Sequence, residues 1–366
     1  MKRIILSGGG TGGHIYPAVS VGEELKKRFG DDVELLFVGA EGKMEMTLIP
    51  KLGYNIKGLN IAGLQRRLTW RNLLLPIQVL KSLMQARRVI KEFRPDAVVG
   101  FGGYASAPII FVAQRMGIPT IIQEQNSYAG LVNKIVGGHA KSICVAYEGM
   151  ERFFDKEKIV LTGNPLRSAF DKSKIDRKAA FEYYGFKEGV PTIMIVGGSL
   201  GTRTLNNMMK SWIVTLGGEA PVQVLWQTGR FYEKEMKEFF ANYNTKNITL
   251  VPFIERMDYA YEAADLVISR SGACTVSELC LVGKPTLFVP SPNVAEDHQT
   301  KNAMALVEKE AAVMVRDSEA VERAVAEALA LIADPERLLS LSKNIEKLAI
   351  ADSADRIVAE IEKVIE

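Results

Sequence analysis

The chain alternates short, almost unbroken apolar runs with longer stretches in which apolar residues return every third or fourth position. The first run, Arg3–Leu6, leads directly into Gly8-Gly9-Gly10-Thr11-Gly12-Gly13-His14, and a helical pattern follows through Val19, Val21, Leu25 and Phe29. Val33–Val38 is the next run, then Ala97–Gly100, a helix over Pro108–Met116, and a further run at Pro119–Gln123. Strands that are apolar throughout are buried on both faces, and strands alternating with helices make a parallel sheet under helical cover. The same order then begins again. Thr192–Val196 precedes Gly197-Gly198-Ser199-Leu200-Gly201-Thr202 and a helix through Leu205 and Met209. Set against Gly9–His14, 188 residues upstream, four of the six positions from Gly197 to Thr202 match in kind. Val222–Gln227, Ile248–Pro252, Leu266–Ser269 and Thr286–Val289 supply further strands. The pattern predicts an α/β protein of two Rossmann-like, doubly wound parallel-sheet domains, residues 1–163 and 164–344, joined near Gly163-Asn164-Pro165. Ligand loops belong at the carboxyl ends of such strands, which puts the expected active site in the cleft between the halves. The last helix, Ala354–Ile365, has no strand after it, so residues 345–366 are expected to pack back on the first domain.

Composition adds limits rather than function. The 366 residues are 47% hydrophobic and 24% charged, the balance of a folded, water-soluble domain pair and not of a disordered chain. The opening MKRIILSGGG is too short for a signal peptide, and no window holds the roughly 18 unbroken apolar residues of a spanning helix. Cys144, Cys274 and Cys280 lack metal-ligand spacing, so reduced thiols in the cytoplasm are expected. The net charge of +3 hides an asymmetry. Residues 1–163 carry 22 Lys+Arg against 14 Asp+Glu, and the remainder 24 against 29, so the first half is the one expected to face an anionic partner.

Gly8, Gly10 and Gly13 fit the spacing of a dinucleotide-binding loop, in which glycine lets backbone N–H groups approach a phosphate closely. A nicotinamide site also wants an acid closing the second strand; here that strand ends Val38-Gly39-Ala40, with Glu41 beyond it. A second strand-to-helix loop, Gly102-Gly103-Tyr104-Ala105-Ser106-Ala107-Pro108, offers another anion site in the same half. With Gly10 of the first loop, Gly103, Tyr104, Ala105 and Ser106 are the candidates for an acceptor's diphosphate. Three glycine loops fit a reaction between two phosphate-bearing partners, although any α/β fold needs glycine at some such turns.

In the second half, Arg270-Ser271-Gly272-Ala273-Cys274-Thr275-Val276-Ser277-Glu278 follows a strand and opens a helix. A carboxylate early in that helix suits a ribose diol, since its two oxygens only accept; favourable interaction with the helix dipole is the plainer reading. Arg270, or Arg167 from the interdomain segment, suits a diphosphate, and His298 and Gln299 suit sugar hydroxyls. Of the three histidines, His14 sits at the tip of a phosphate-type loop, and an imidazole with pKa near 6.5 is apt as a general base at neutral pH. Hydrogen bonding to substrate or to a loop carbonyl is its rival role, and Glu124 is the reserve base. The chain contains no Asp-x-Asp and no other compact carboxylate pair for a divalent ion, so transfer without metal or cofactor is expected. Between Asn60 and Arg94 eight basic residues, Arg66, Arg67, Arg71, Lys81, Arg87, Arg88, Lys91 and Arg94, meet one acid, Glu92. Trp70, Leu74, Leu75 and other apolar residues are interleaved, a pattern suited to an anionic membrane surface; the alternative is a stripe packed on the sheet under solvated arginines. No nucleic-acid recognition module accompanies the charge.

Taken in order, GGTGGH (Gly9–His14), FGGYASAP (Phe101–Pro108), QEQN (Gln123–Asn126), TGNPLR (Thr162–Arg167), GGSLG (Gly197–Gly201), RSGACTVSE (Arg270–Glu278) and DHQTKN (Asp297–Asn302) resemble the peptidoglycan N-acetylglucosaminyltransferases of glycosyltransferase family 28 along essentially the whole chain. The resemblance implies a GT-B fold and inverting transfer of N-acetylglucosamine from UDP-N-acetylglucosamine. The acceptor it implies is the C4 hydroxyl of the muramyl sugar in undecaprenyl-pyrophosphoryl-N-acetylmuramyl-pentapeptide (lipid I), and the product lipid II. It implies donor contacts at Thr11, Gly12, Gly13, Asn126, Arg167, Ser199, Ile254, Ala273, Cys274, Thr275, Val276, Ser277, Glu278 and Gln299. It also implies a peripheral protein at the cytoplasmic face of the inner membrane, with cell-wall or division machinery nearby. Leu200 and His298 depart from a pattern in which relatives carry Gln. Rival activities on the same architecture are a UDP-N-acetylglucosamine 2-epimerase, a diacylglycerol glycosyltransferase and a non-catalytic nucleotide-sugar sensor. An epimerase would leave the basic segment and the second glycine loop without a task, and a sensor would tolerate loss of His14.

Overall fold

The computed structural model describes residues 1–61, 75–166, 176–198, 200–243 and 245–365. The chain divides into two compact units, Met1–Arg167 with Ile350–Glu366, and Ser168–Ala349.

The first unit runs β1 (Lys2–Ser7), α1 (Gly12–Phe29), β2 (Val33–Ala40), α2 (Glu45–Lys51), β3 (Ile56–Leu59), α3 (Leu75–Phe93), β4 (Ala97–Gly100), α4 (Ser106–Arg115), β5 (Thr120–Glu124), α5 (Leu131–Gly137), β6 (Ser142–Val145) and β7 (Ile159–Leu161). Its seven strands lie in the order β3-β2-β1-β4-β5-β6-β7, every pairing parallel. Burial explains the apolar runs. In β1, Ile5 packs with Val98, Ile109 and Ile110 on one face, while Ile4 and Leu6 pack with Ile15 and Val19 of α1 on the other. Each such buried side chain contributes about 1.5–3 kcal/mol, which favours apolar residues on both faces of the strand.

The second unit holds α6 (Arg177–Tyr184), β8 (Thr192–Val196), α7 (Arg203–Leu216), β9 (Gln223–Gln227), α8 (Glu233–Phe240), β10 (Ile248–Val251), α9 (Met257–Ala263), β11 (Leu266–Ser269), α10 (Ala273–Val282), β12 (Thr286–Phe288), α11 (His298–Val307), β13 (Val313–Met314), α12 (Ala320–Ile332) and α13 (Pro335–Glu346). Its six strands are ordered β10-β9-β8-β11-β12-β13, again all parallel. The last helix, α14 (Ser353–Ile365), belongs to the first unit. Its buried Ile357, Val358 and Ile361 join the α1 face of the sheet. Polar groups fix it at both ends: Arg28 pairs with Asp355 and, at 2.6 Å, with Glu362, and Ser142 Oγ donates to Glu360 Oε2 at 3.0 Å.

The divisions fall a few residues beyond the expected 163/164 and 344/345 joins, for local reasons. Asn164 still belongs to the first unit, where its Nδ2 donates to the Gln125 carbonyl at 3.0 Å. Leu341 and Ile345 are fully buried, and Asn344 Nδ2 donates to the Glu310 carbonyl at 3.1 Å, which keeps the end of α13 with the second unit.

Both strand orders place the site. In each sheet the chain leaves the central strand (β1 or β8) to one side, then returns to build the other side from β4 or β11. Loops leaving the carboxyl ends of those two neighbouring strands open side by side at this switch point. The first and second glycine loops, 93 residues apart in sequence at Gly9 and Gly102, thus meet, and so do the third loop and the Arg270–Glu278 segment.

Candidate active site

In the first unit the two glycine loops touch through His14. Gly103 has φ +76°, and a Cβ there would stand 2.6 Å from the Gly9 carbonyl and 3.2 Å from His14 Cδ2. Only glycine lets the two backbones and the imidazole approach so closely. His14 lies in the first turn of α1, and its Nδ1 is 3.2 Å from Gln125 Oε1. Gln125, 1% exposed, has its amide orientation set by its other end: Nε2 donates to the Phe101 carbonyl at 2.7 Å and to Gln123 Oε1. Oε1 is therefore the atom facing His14, and a neutral imidazole answers it by carrying its proton on Nδ1. Nε2 is then the basic nitrogen.

Two buried carboxylates flank this arrangement. Glu45, at the start of α2, is fully buried under the first loop; it accepts from Gly10 N at 3.1 and 3.3 Å and from Ala40 N at 3.1 Å. The space it fills is made by Gly39, where a Cβ would lie 2.6 Å from Glu45 Cγ. Glu124 uses both oxygens: Oε1 accepts from Asn126 N and Nδ2 at 3.0 and 3.2 Å, and Oε2 from Gly130 N and Asn133 Nδ2, each at 2.9 Å. Of the second loop, Ser106 is buried and donates to the Gly103 carbonyl at 3.0 Å, Ala105 is buried, and Tyr104 is exposed. Gly10 and Thr11 are exposed, and Gly12 and Gly13 half-buried, at the N-terminus of α1.

In the second unit a 380 Å³ cavity is lined by Gly197 and Gly198 of the third loop, by Ile254, by Arg270, Gly272, Thr275 and Glu278, and by Gln299. Four separate stretches of sequence thus converge on one pocket. Gln227, at the end of β9, clamps the loop: Oε1 accepts from Gly197 N at 3.2 Å and Nε2 donates to Gly198 O at 2.9 Å. At Gly201, φ +79°, a Cβ would collide with the Thr228 carbonyl 2.0 Å away, so the loop rests directly on the backbone that follows β9. Arg270 is anchored, with Nη1 at 2.6 Å from Asp317 Oδ1 and 2.7 Å from the Val289 carbonyl. Glu278 Oε2 accepts from the Tyr261 hydroxyl at 3.2 Å. Gln299 Oε1 accepts from Ser291 N at 2.8 Å. Ala273 and Val276 are buried, and Cys274, Ser277 and His298 are half-buried near the starts of α10 and α11. Arg167 and Ser199 lie outside the described residues. Among the described residues, no group of three or more His, Cys, Asp or Glu side chains is placed to hold a metal ion.

Arg66, Arg67, Trp70, Arg71, Leu74 and the side chain of Leu75 also lie outside the described residues. Farther along α3 the helix is apolar on two faces: Ala86, Val89 and Ile90 join the core, while Ile77, Leu80 and Met84 are more than half exposed. On α5, Leu131 and Ile135 are likewise more than half exposed. No helix among the described residues is long and apolar enough to cross a membrane.

Residues 4–145 match the glycosyltransferase family 28 N-terminal domain and residues 192–357 the family's C-terminal domain. The chain belongs to glycosyltransferase family 28. Its relatives sharpen the assignment. A UDP-N-acetylglucosamine–N-acetylmuramyl-(pentapeptide) pyrophosphoryl-undecaprenol N-acetylglucosamine transferase of Parabacteroides distasonis is 52% identical over 364 residues, spanning 100% of this chain and 98% of that protein. A protein of the same name from Bacteroides thetaiotaomicron is 50% identical over 365 residues, covering 100% and 98%. The crystal structure of Acinetobacter baumannii MurG is 28% identical, with a TM-score of 0.80 over 99% of this chain and 100% of that one. A UDP-N-acetylglucosamine 2-epimerase from Neisseria meningitidis, 15% identical with a TM-score of 0.66 over 99% and 100%, shares the fold. The family 28 chain is thus a hexosyltransferase with two parallel-sheet α/β units of the GT-B class.

Several polar residues that shape these sites are hard to find from sequence. Glu45, Gln227 and Tyr261 sit in no glycine loop. Gln227 has the one sequence signal among them, a polar group closing the apolar strand QVLWQ, whereas Glu45 and Tyr261 sit among other polar residues.

Proposed function

We propose that this chain transfers N-acetylglucosamine from UDP-N-acetylglucosamine to the C4 hydroxyl of the muramyl sugar in undecaprenyl-pyrophosphoryl-N-acetylmuramyl-pentapeptide, with inversion. The carrying observation is the convergence of Gly197, Gly198, Ile254, Thr275, Glu278 and Gln299 on one cavity of the second unit. It offers what a nucleotide sugar needs: helix N-termini for the diphosphate, a carboxylate for the ribose diol and an amide for sugar hydroxyls. The second unit takes the donor, and the first takes the acceptor, whose diphosphate lies over the α1 N-terminus and the second glycine loop.

The acceptor oxygen attacks C1 of the sugar as the bond from C1 to the UDP oxygen breaks. His14 Nε2 takes the acceptor's proton, and UDP leaves with its charge met by the N-termini of α7 and α10. Gln125 supports this role by drawing the imidazole proton to Nδ1. Glu124 is the less available base, because both of its oxygens are already occupied by four N–H donors. The exposed apolar residues of α3 and α5, with Lys81, Arg87, Arg88, Lys91 and Lys134 nearby in sequence, support docking on an anionic membrane at the cytoplasmic face.

The test is transfer of radiolabelled sugar from UDP-N-acetylglucosamine to a short-chain lipid I analogue, with EDTA present, by wild type and His14→Ala. Wild-type product, with a loss of roughly 10²–10⁴-fold in the variant, is the expected result. Turnover by His14→Ala close to wild type removes the base. Absence of wild-type product despite bound donor removes the reaction.

A further inference from the structure

In the donor pocket, the carboxylate assigned to the ribose is itself held. Tyr261 of α9 is 2% exposed, and its hydroxyl donates to Glu278 Oε2 at 3.2 Å. Both residues line the 380 Å³ cavity, Glu278 from the second turn of α10. We infer that Tyr261 is a positioning residue: it fixes the Glu278 carboxylate to receive the 2′ and 3′ hydroxyls of the donor's ribose, and so sets the preference for ribonucleotide over deoxynucleotide. The inference rests on the proposed role of Glu278 in the donor site.

The chemistry favours this division of labour. A glutamate has three rotatable side-chain bonds, and a diol needs both of its hydroxyls met in one geometry. A carboxylate offers about four acceptor positions, enough for a tyrosine and a diol together. A phenylalanine would pack in the same space, so what the hydroxyl adds is the hydrogen bond. Burial, and then the neighbouring Glu278 charge, holds the Tyr261 pKa well above its ordinary value, so the hydroxyl remains a donor throughout the neutral range. The rigid ring, enclosed by the unit's interior, supplies the fixed point that the pocket wall alone does not.

The experiment measures binding of UDP and of 2′,3′-dideoxy-UDP to the full-length chain by calorimetry, for wild type, Tyr261→Phe, Glu278→Gln and the double variant. Wild type is expected to prefer UDP. Tyr261→Phe should weaken UDP by about 3–10-fold, the effect of one hydrogen bond, and leave dideoxy-UDP unchanged. In the Glu278→Gln background the same substitution should add no further loss, because the two act as one unit. In transfer assays KM for UDP-N-acetylglucosamine should rise while kcat holds. Equal weakening of both nucleotides, or additive losses in the double variant, would mean that Tyr261 only packs, and overturns the proposal. A wild type that binds UDP and dideoxy-UDP alike overturns it differently, by removing the ribose role of Glu278 beneath it.

Discussion

Replacing Gln125 by Met tests the proton arrangement at His14 most directly. Methionine keeps the length and nearly the volume of glutamine but removes the acceptor 3.2 Å from His14 Nδ1 and the donor 2.7 Å from the Phe101 carbonyl. A neutral hydrogen bond is worth about 0.5–1.5 kcal/mol net, which changes the ratio of the two imidazole tautomers by about 2–13-fold. The transfer rate should fall by at most that factor, well short of the roughly 10²–10⁴-fold expected for removing the base itself. The buried carbonyl of Phe101 loses its partner as well, so a destabilisation of about 1–3 kcal/mol should appear in denaturant unfolding. Because Gln125 acts through His14, Gln125→Met should cost nothing further in a His14→Ala background. Gln125→Glu supplies the converse. A carboxylate beside the imidazole favours the charged ring and raises its pKa. The base is then neutral only at higher pH, so the acid limb of the kcat/KM profile should move upward by the same amount, with activity regained in alkali. The assay is sugar transfer to the soluble acceptor analogue across pH. Equal losses from Gln125→Met with and without His14, or an acid limb unmoved by Gln125→Glu, would refute the reasoning.

Two further outcomes concern the exposed surface of α5 and the thiols. Leu131→Asp with Ile135→Asp changes two exposed residues of α5, so folding and transfer to the soluble analogue should persist; flotation with phosphatidylglycerol vesicles should fall roughly 10–100-fold, since each lost apolar contact is worth up to about 1.5–3 kcal/mol. Vesicle binding equal to wild type would remove α5 from the membrane surface. Burial pushes the thiols of Cys144 and Cys280 up to about 12, so both remain protonated and inert in the folded chain, whereas half-buried Cys274 should be alkylated by iodoacetamide at about pH 8. Peptide mass mapping that finds Cys144 labelled as fast as Cys274 without denaturant would contradict that.

The double winding was legible because β1, β4, β8 and β11 are buried on both faces and read as unbroken apolar runs. β3, with Lys57 and Gly58 inside four residues, and the two-residue β13 carry no such signal; they are strands because a neighbour's edge is there to pair with. β6 and β7 are short enough to be lost among turn residues. The glycine loops were legible as loops, but which of their groups face a ligand was not. Gly10 illustrates the difference: its spacing suits a diphosphate, yet its N–H donates to Glu45, 35 residues away across β2. Nothing local to Gly10 announces that partner.

That difference arises from how glycine-rich sites gain their precision. A loop able to approach a phosphate closely has lost the side chains that would otherwise fix its shape, and glycine gives up more conformational freedom on ordering than any other residue. The shape must be imposed from outside. Here Glu45 ties the first loop to β2, Gln125 orients the imidazole that bridges the first loop to the second, and Gln227 clamps the third loop through both its N–H and C=O groups. All three are buried, so each hydrogen bond is formed where losing it leaves a costly unpaired polar group. The residues in ligand-type motifs and the residues that hold them therefore predict different failures. Loss of a contacting group lowers binding or turnover outright, whereas loss of a holding group changes tautomer, selectivity or KM while the reaction survives.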